Sequence, residues 1–208
     1  MRPPERTRVR VSPGAPALLA VFVWLSSPEV LGAVLLAALC HELGHYAVLC
    51  SRGGWVRHME ISALGANMQV AGRLSYGSEL LAAAGGPAVN LLLAAALAAL
   101  GRWWEPLYLL AGAQGVLGCF NLLPILPLDG GRMLWLALCW RTDPFLADRM
   151  AGGVSLAAAG LLTAAGAALA GRSPFLLMTA VCLLCCTAGP CIKRRKSVYA
   201  SGKREASA

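Results

Sequence analysis

Charged and aromatic side chains are scarce in this chain. Only 13% of its 208 residues are charged and 7% are aromatic, whereas 58% are hydrophobic. A soluble domain has about a quarter of its residues charged, so this composition excludes an ordinary soluble protein and indicates a polytopic helical membrane protein. Segments that alternate apolar and polar residues are also lacking, while long Leu, Ala and Val runs are plentiful.

The distribution of basic and sulfur-bearing residues excludes two further classes. The net charge is +8, but the basic residues cluster at the chain ends and beside apolar runs, which is a topology signal and not a nucleic-acid surface. Most of the eight cysteines lie within or at the ends of apolar runs, where a thiol behaves as a small hydrophobe. We therefore expect no disulfide framework, no nucleic-acid partner and no cleavable signal peptide.

One polar cluster lies inside an apolar run. His41 and His45 are one helical turn apart and project from the same face, so they can hold two corners of a tetrahedral zinc site. Glu42 points to the neighbouring flank, where its carboxylate can take a proton from the attacking water. This is the H-E-x-x-H arrangement of metallohydrolases. Because ionisable groups are costly in hydrocarbon, we interpret the cluster as a metal site and not as a chance match.

A catalytic zinc site usually takes three protein ligands, so a third is needed. Two prolines and two glycines over residues 124–131 predict a helix break, which is tolerated in lipid only where it lines a cavity or is buried in protein. Asp129 lies at that break and is the best remaining carboxylate. The alternative is an ordinary loop aspartate that caps a following helix over 133–140.

The apolar runs predict an all-α polytopic membrane fold with about six transmembrane helices. They lie near residues 15–27, 29–50, 79–100, 106–123, 151–170 and 174–192. Gly85-Gly86-Pro87 interrupts the third run, which indicates either a proline kink with close helix packing or, because Asn90 follows in mid-span, a further role. Residues 51–77 predict a short β-hairpin or re-entrant loop after the second run. We expect one membrane-embedded domain over 15–192, with an unstructured basic lead over 1–14 and a basic tail over 193–208.

The basic residues also predict the topology. With both termini cytoplasmic, sixteen Lys and Arg lie on the cytoplasmic side and only Arg102 and Arg172 lie outside. This predicts a multi-pass protein of the cell membrane. The second and fourth spans then both run inward, so His41, His45 and Asp129 should share the cytoplasmic half of the bilayer.

These residues resemble the site-2 protease family of intramembrane zinc metalloproteases. The resemblance covers about residues 15–142 and rests on the motifs H-E-L-G-H at 41–45, G-P-A-V-N at 86–90, and N-L-L-P leading to P-L-D-G-G-R at 121–132. The family's N-P-D-G becomes P-L-D-G, which keeps Asp129. The resemblance implies one Zn²⁺ per chain held by His41, His45 and Asp129, with Glu42 as the catalytic acid and base and Asn90 as a substrate-binding residue.

The chain is similar to the compact bacterial type, which is related to the sporulation sigma-factor-processing protease. The implied function is hydrolysis of a peptide bond in or near a transmembrane segment of a membrane-bound substrate protein. The lipid bilayer is the other expected partner, and the sequence also allows a homo-oligomer. Two alternatives are a metal transporter and a catalytically inactive membrane binding protein. Glu42 has no obvious role in transport, and the intact His-Glu-His-Asp set argues against inactivity.

Overall fold

The computed structural model describes residues 8–11, 20, 23, 24, 26–62, 65–71 and 74–168. Within them, three strands are β1 (Arg8–Val11), β2 (Trp55–Ser62) and β3 (Gly65–Ala71), and five helices are α1 (Pro28–Ser51), α2 (Tyr76–Gly101), α3 (Pro106–Asn121), α4 (Asp129–Cys139) and α5 (Pro144–Ala168). The chain divides into two compact units, Met1–Leu122 and Leu123–Ala208. Most of the predicted first span, the predicted sixth span and the basic tail lie outside the described residues.

Three of the described helices, α1, α2 and α5, are long and apolar enough to cross a membrane. α1 has 24 residues, or about 36 Å at 1.5 Å per residue, which exceeds the roughly 30 Å of a bilayer core. It begins where Ser27 caps the first turn, its hydroxyl accepting from the Val30 N–H, and where Pro28 presets the helical φ angle. After Ser51 the chain turns at Gly53, whose φ of 76° is favourable only for glycine.

α2 runs unbroken through Pro87, and the close helix packing that was one interpretation of residues 85–87 is present there. Ser75 caps its start by accepting from the Ser78 N–H. A proline inside a membrane helix removes one backbone hydrogen bond, and neighbouring helices make this tolerable. Here α1 packs directly on α2 beside the proline: a Cβ added to Gly85 would lie 2.6 Å from the Gly44 carbonyl oxygen.

α3 is shorter than the predicted span over 106–123. Its 16 residues extend about 24 Å, less than a bilayer core. The helix ends at Asn121, whose side-chain N–H donates to the Leu117 carbonyl oxygen at 3.1 Å. Proline disfavours helical backbone in the residue before it, so Pro124 helps to end α3.

The strands form one sheet in the order β1-β2-β3. β1 pairs parallel with β2, from Arg8 opposite His58 to Val11 opposite Ile61. β2 and β3, within the segment 51–77, pair antiparallel with a register shift after Val56. The prediction of an unstructured lead is therefore wrong over residues 8–11. A strand that pairs with residues 50 positions further on leaves no local signature.

In the second unit, α4 and α5 pack against each other. α4 begins at Asp129, four residues before the predicted helix over 133–140, so Asp129 lies in the first turn and is not a loop residue. α5 begins at Pro144, seven residues before the predicted fifth span. The Asp143 carboxylate accepts from the Leu146 N–H at 3.0 Å, and this cap stabilises the first turn of the helix.

Candidate metal centre

Two imidazole nitrogens of α1 face each other inside the first unit. The Nε2 atoms of His41 and His45 are 3.1 Å apart, and their rings are nearly perpendicular, at 87°. Two nitrogens that share a tetrahedral Zn²⁺ at 2.0–2.1 Å lie about 3.3 Å apart. His41 is buried, with 6% of its surface exposed. The pair therefore has the separation and the orientation that a shared zinc ion requires.

The contacts of His45 Nδ1 determine which of the two ring nitrogens of His45 can bind a metal. His45 Nδ1 lies 2.8 Å from the Ala82 carbonyl oxygen and 3.3 Å from the Gly86 nitrogen. It cannot both donate to Ala82 and accept from Gly86. We assign Nδ1 as the donor, because that contact is shorter and because the Gly86 N–H has the Ala82 carbonyl as its own helical acceptor. Nε2 then carries the lone pair, as in zinc sites where a carbonyl orients the ligand histidine.

Glycines of α2 let the His45 ring approach the helix backbone. A Cβ added to Gly86 would lie 2.7 Å from both Cδ2 and Cε1 of His45. On the facing helix, a Cβ added to Gly44 would lie 2.6 Å from the Gly85 carbonyl oxygen. No real Cβ tolerates such distances, so glycine at these three positions fixes the α1–α2 separation and with it the position of His45.

Glu42 and Asn90 flank the histidine pair in the same unit. Glu42 is half-buried and follows His41 by one residue, which directs its side chain to the adjoining flank of α1. α1 and α2 run antiparallel, with Gly44 against Gly85 and Val89, so Asn90 lies about level with His41. Asn90 is fully buried, and neither polar atom of its side chain has a hydrogen-bond partner among the described residues.

In the second unit, a serine that the sequence analysis did not select holds the segment before Asp129. Ser155 of α5 accepts from the Leu126 N–H at 2.8 Å and donates to the Pro124 carbonyl oxygen at 3.3 Å. Gly131 lets the same segment turn back onto α4, since a Cβ there would lie 2.5 Å from Leu126 N. The available signal was weak, because Ser155 is one of two hydroxyl side chains among the Ala, Gly and Leu residues of α5.

The first unit offers the two imidazoles of His41 and His45 as metal donors, and the second unit offers the carboxylate of Asp129 at the start of α4. Two histidines and one carboxylate are a known ligand combination of catalytic zinc sites. The inward-facing Nε2 atoms and the oriented tautomer of His45 fit that use. The arrangement is that of a metallohydrolase.

Comparisons with known proteins point to the same class. A family model described as peptidase family M50 matches residues 95–165. Two curated proteins of Mycobacterium tuberculosis, from strains Erdman and H37Rv, are each named "Putative zinc metalloprotease Rip3" and are 33% identical to this chain over 163 residues. That match covers 70% of this chain and 39% of each relative, so the chain spans about two fifths of their length.

A solved structure, the site-2 protease from Methanocaldococcus jannaschii, has a similar fold, with a TM-score of 0.70 at 20% identity. The likeness covers 88% of this chain and 90% of that one. These matches support the resemblance of the chain to the site-2 protease family, peptidase family M50. The sequence resemblance is thereby confirmed, and zinc is the cofactor that the family implies.

Proposed function

We propose that this protein is an intramembrane zinc metalloprotease that hydrolyses a peptide bond in or near a transmembrane segment of a membrane-bound protein. One observation carries the proposal. On a helix long and apolar enough to cross a membrane, the Nε2 atoms of His41 and His45 are 3.1 Å apart, and His45 Nδ1 lies 2.8 Å from a backbone carbonyl oxygen. A structural histidine pair has no need of this arrangement, whereas a zinc site does.

In this proposal His41, His45 and Asp129 bind one Zn²⁺ per chain. Support comes from the donor chemistry of the three side chains and from the fixed segment that leads into Asp129. When bound, the ion supplies Lewis-acid polarisation of the scissile carbonyl. Burial of His41 keeps bulk water from competing for the ligand positions.

Glu42 is the general acid and base. It accepts a proton from the attacking water and returns it to the leaving amine, a role that typically contributes 10²–10⁴-fold to the rate. Its position on the flank of α1, next to but not in line with the histidines, suits a carboxylate that exchanges protons and is not a metal ligand.

The substrate segment must be extended where it is cut, because a helix keeps its carbonyls within its own hydrogen bonds. Asn90 binds or orients that backbone with its buried amide. The outer edge of β3 offers a second contact, since β3 is an edge strand of the described sheet and an extended peptide can add to such an edge.

We further propose that the domain over 15–192 lies in the cell membrane, with the lead over 1–14 and the tail over 193–208 in the cytoplasm. The sixteen-to-two division of Lys and Arg supports this topology. It puts the histidine pair in the cytoplasmic half of the bilayer, from which water can reach it.

The test uses the purified full chain in nanodiscs with a membrane-embedded reporter. Glu42→Gln should keep zinc and lose cleavage, whereas His41→Ala and His45→Ala should lose zinc. A metal transporter instead predicts metal movement that depends on the histidines and is indifferent to Glu42. An inactive binding protein predicts reporter binding without cleavage in the wild type. Equal cleavage by the wild type and Glu42→Gln would rule out the proposed protease mechanism.

A further inference from the structure

Two side-chain amides are buried between α2 and α3 without the partners that buried amides require. Asn90 is 0% exposed and Gln114 is 2% exposed. Both polar atoms of the Asn90 side chain and Oε1 of Gln114 lack a hydrogen-bond partner among the described residues. A buried amide without a hydrogen bond is costly, and such groups in native proteins usually have a bound partner. Gln114 has no part in the proposed catalytic set.

The packing of α2 on α3 places these amides near each other. The helices run antiparallel, because a Cβ on Gly118 would lie 3.2 Å from Asn90 Cβ and a Cβ on Gly115 would lie 3.6 Å from Ala94 Cβ. Gln114 and Gly118 both belong to the buried face of α3, one helical turn apart. Gln114 therefore lies about 6 Å along the helix axis from the level of Asn90, at 1.5 Å per residue.

The chemistry of the site selects a small ligand. Two of the three atoms are oxygens that need donors, and the third, Asn90 Nδ2, needs an acceptor. Water supplies both, and with hydrogen bonds of about 2.8 Å one or two waters can bridge amides whose levels on the helix axis differ by about 6 Å. Both side chains are at least 98% buried, so without substrate only a small ligand such as water reaches them, and contact of Asn90 with a substrate requires α2 and α3 to move apart.

We propose that Asn90 and Gln114 form a water-binding site inside the α1–α2–α3 unit, about level with His41 and one turn further along. Resting on the proposed function, this site supplies the reactant: a hydrolase in lipid consumes one water per turnover, and these amides hold water beside the histidine pair. When Asn90 turns to the substrate backbone, it releases water at the level where the reaction occurs.

The test is a double-mutant cycle on the thermal stability of the full chain in nanodiscs without substrate. Gln114→Met and Asn90→Leu replace each amide by an apolar side chain of similar size. If water bridges the amides, each variant lowers Tm by about 2–4 °C, and the double variant lowers it by less than the sum. Gly112→Ala on α3, where an added Cβ meets nothing within 4 Å, is the matched control and should not lower Tm.

Some results would overturn the site. A higher Tm for Gln114→Met means that the amide is an unpaired group whose removal relieves a cost. Additive losses mean that the two amides share no ligand. With the reporter, Gln114→Met should lower kcat about tenfold and leave KM unchanged, whereas a raised KM with unchanged kcat assigns the amides to the peptide and not to water. The stability cycle does not depend on cleavage, so failure of the proposed protease function would be seen separately in the Glu42→Gln comparison.

Discussion

Replacement of Gly86 by alanine should displace the proposed zinc ligand His45 without changing its imidazole group. The added Cβ would lie 2.7 Å from Cδ2 and Cε1 of His45, whereas non-bonded carbons are ordinarily 3.5–4.0 Å apart. The imidazole ring must therefore move by about 1 Å or α2 must withdraw from α1. Ligand constellations tolerate roughly 0.5 Å, so the Nε2 pairing with His41 should be lost.

We expect Gly86→Ala to weaken zinc binding by about 10–100-fold, the usual effect of disturbing the outer support of a ligand. Overpacking should also lower the free energy of unfolding by about 1–3 kcal/mol. Zinc content would be measured at a series of buffered free zinc concentrations, and stability by unfolding of the zinc-free chain. Gly32→Ala on α1, where an added Cβ meets nothing within 4 Å, is the control and should retain zinc. Wild-type zinc affinity in Gly86→Ala would refute the reasoning.

Three further predictions concern the frame around the site. Ser155→Ala leaves the Leu126 N–H and the Pro124 carbonyl without this partner and should lower the free energy of unfolding by about 1–3 kcal/mol. Thr142→Ala leaves the Leu138 carbonyl paired with the backbone N–H of residue 142 and should change it by less than about 0.5 kcal/mol. Gly44→Ala should loosen the α1–α2 contact, detected as faster hydrogen exchange in both helices. Reporter fusions should be external at Arg102 and cytoplasmic after the tail, and an external carboxyl terminus would contradict the six-span topology.

The sequence predicted the parts of this fold that local composition determines. The bounds of α1 and α2 differ from the predicted spans by a few residues at most, because apolar runs and Ser caps act within one or two turns. The histidine spacing likewise predicted a shared face, since one turn of helix sets it. The motif around Asp129 predicted a break, and the structure has one over residues 122–128.

Long-range pairing could not be predicted in the same way. β1 pairs with residues 50 positions away, and Ser155 bonds to a segment about 30 positions earlier, so neither contact leaves a periodic signal. The sequence pattern did not indicate that Gln114, a single amide in an apolar helix, would be buried. Its burial depends on Gly115 and Gly118 facing α2. The uninterrupted course of α2 through Pro87 likewise depends on the packing of α1 against it.

Zinc X-ray absorption spectroscopy of the purified full chain tests the central claim most directly, because it counts the ligands around the metal. The account predicts nitrogen and oxygen ligands at 2.0–2.1 Å with two imidazoles, in the wild type and in Glu42→Gln alike. His45→Ala, loaded with zinc at high concentration, should show one imidazole. Two imidazoles in His45→Ala, or sulfur ligands at about 2.3 Å in the wild type, would contradict the claim that His41 and His45 hold the ion.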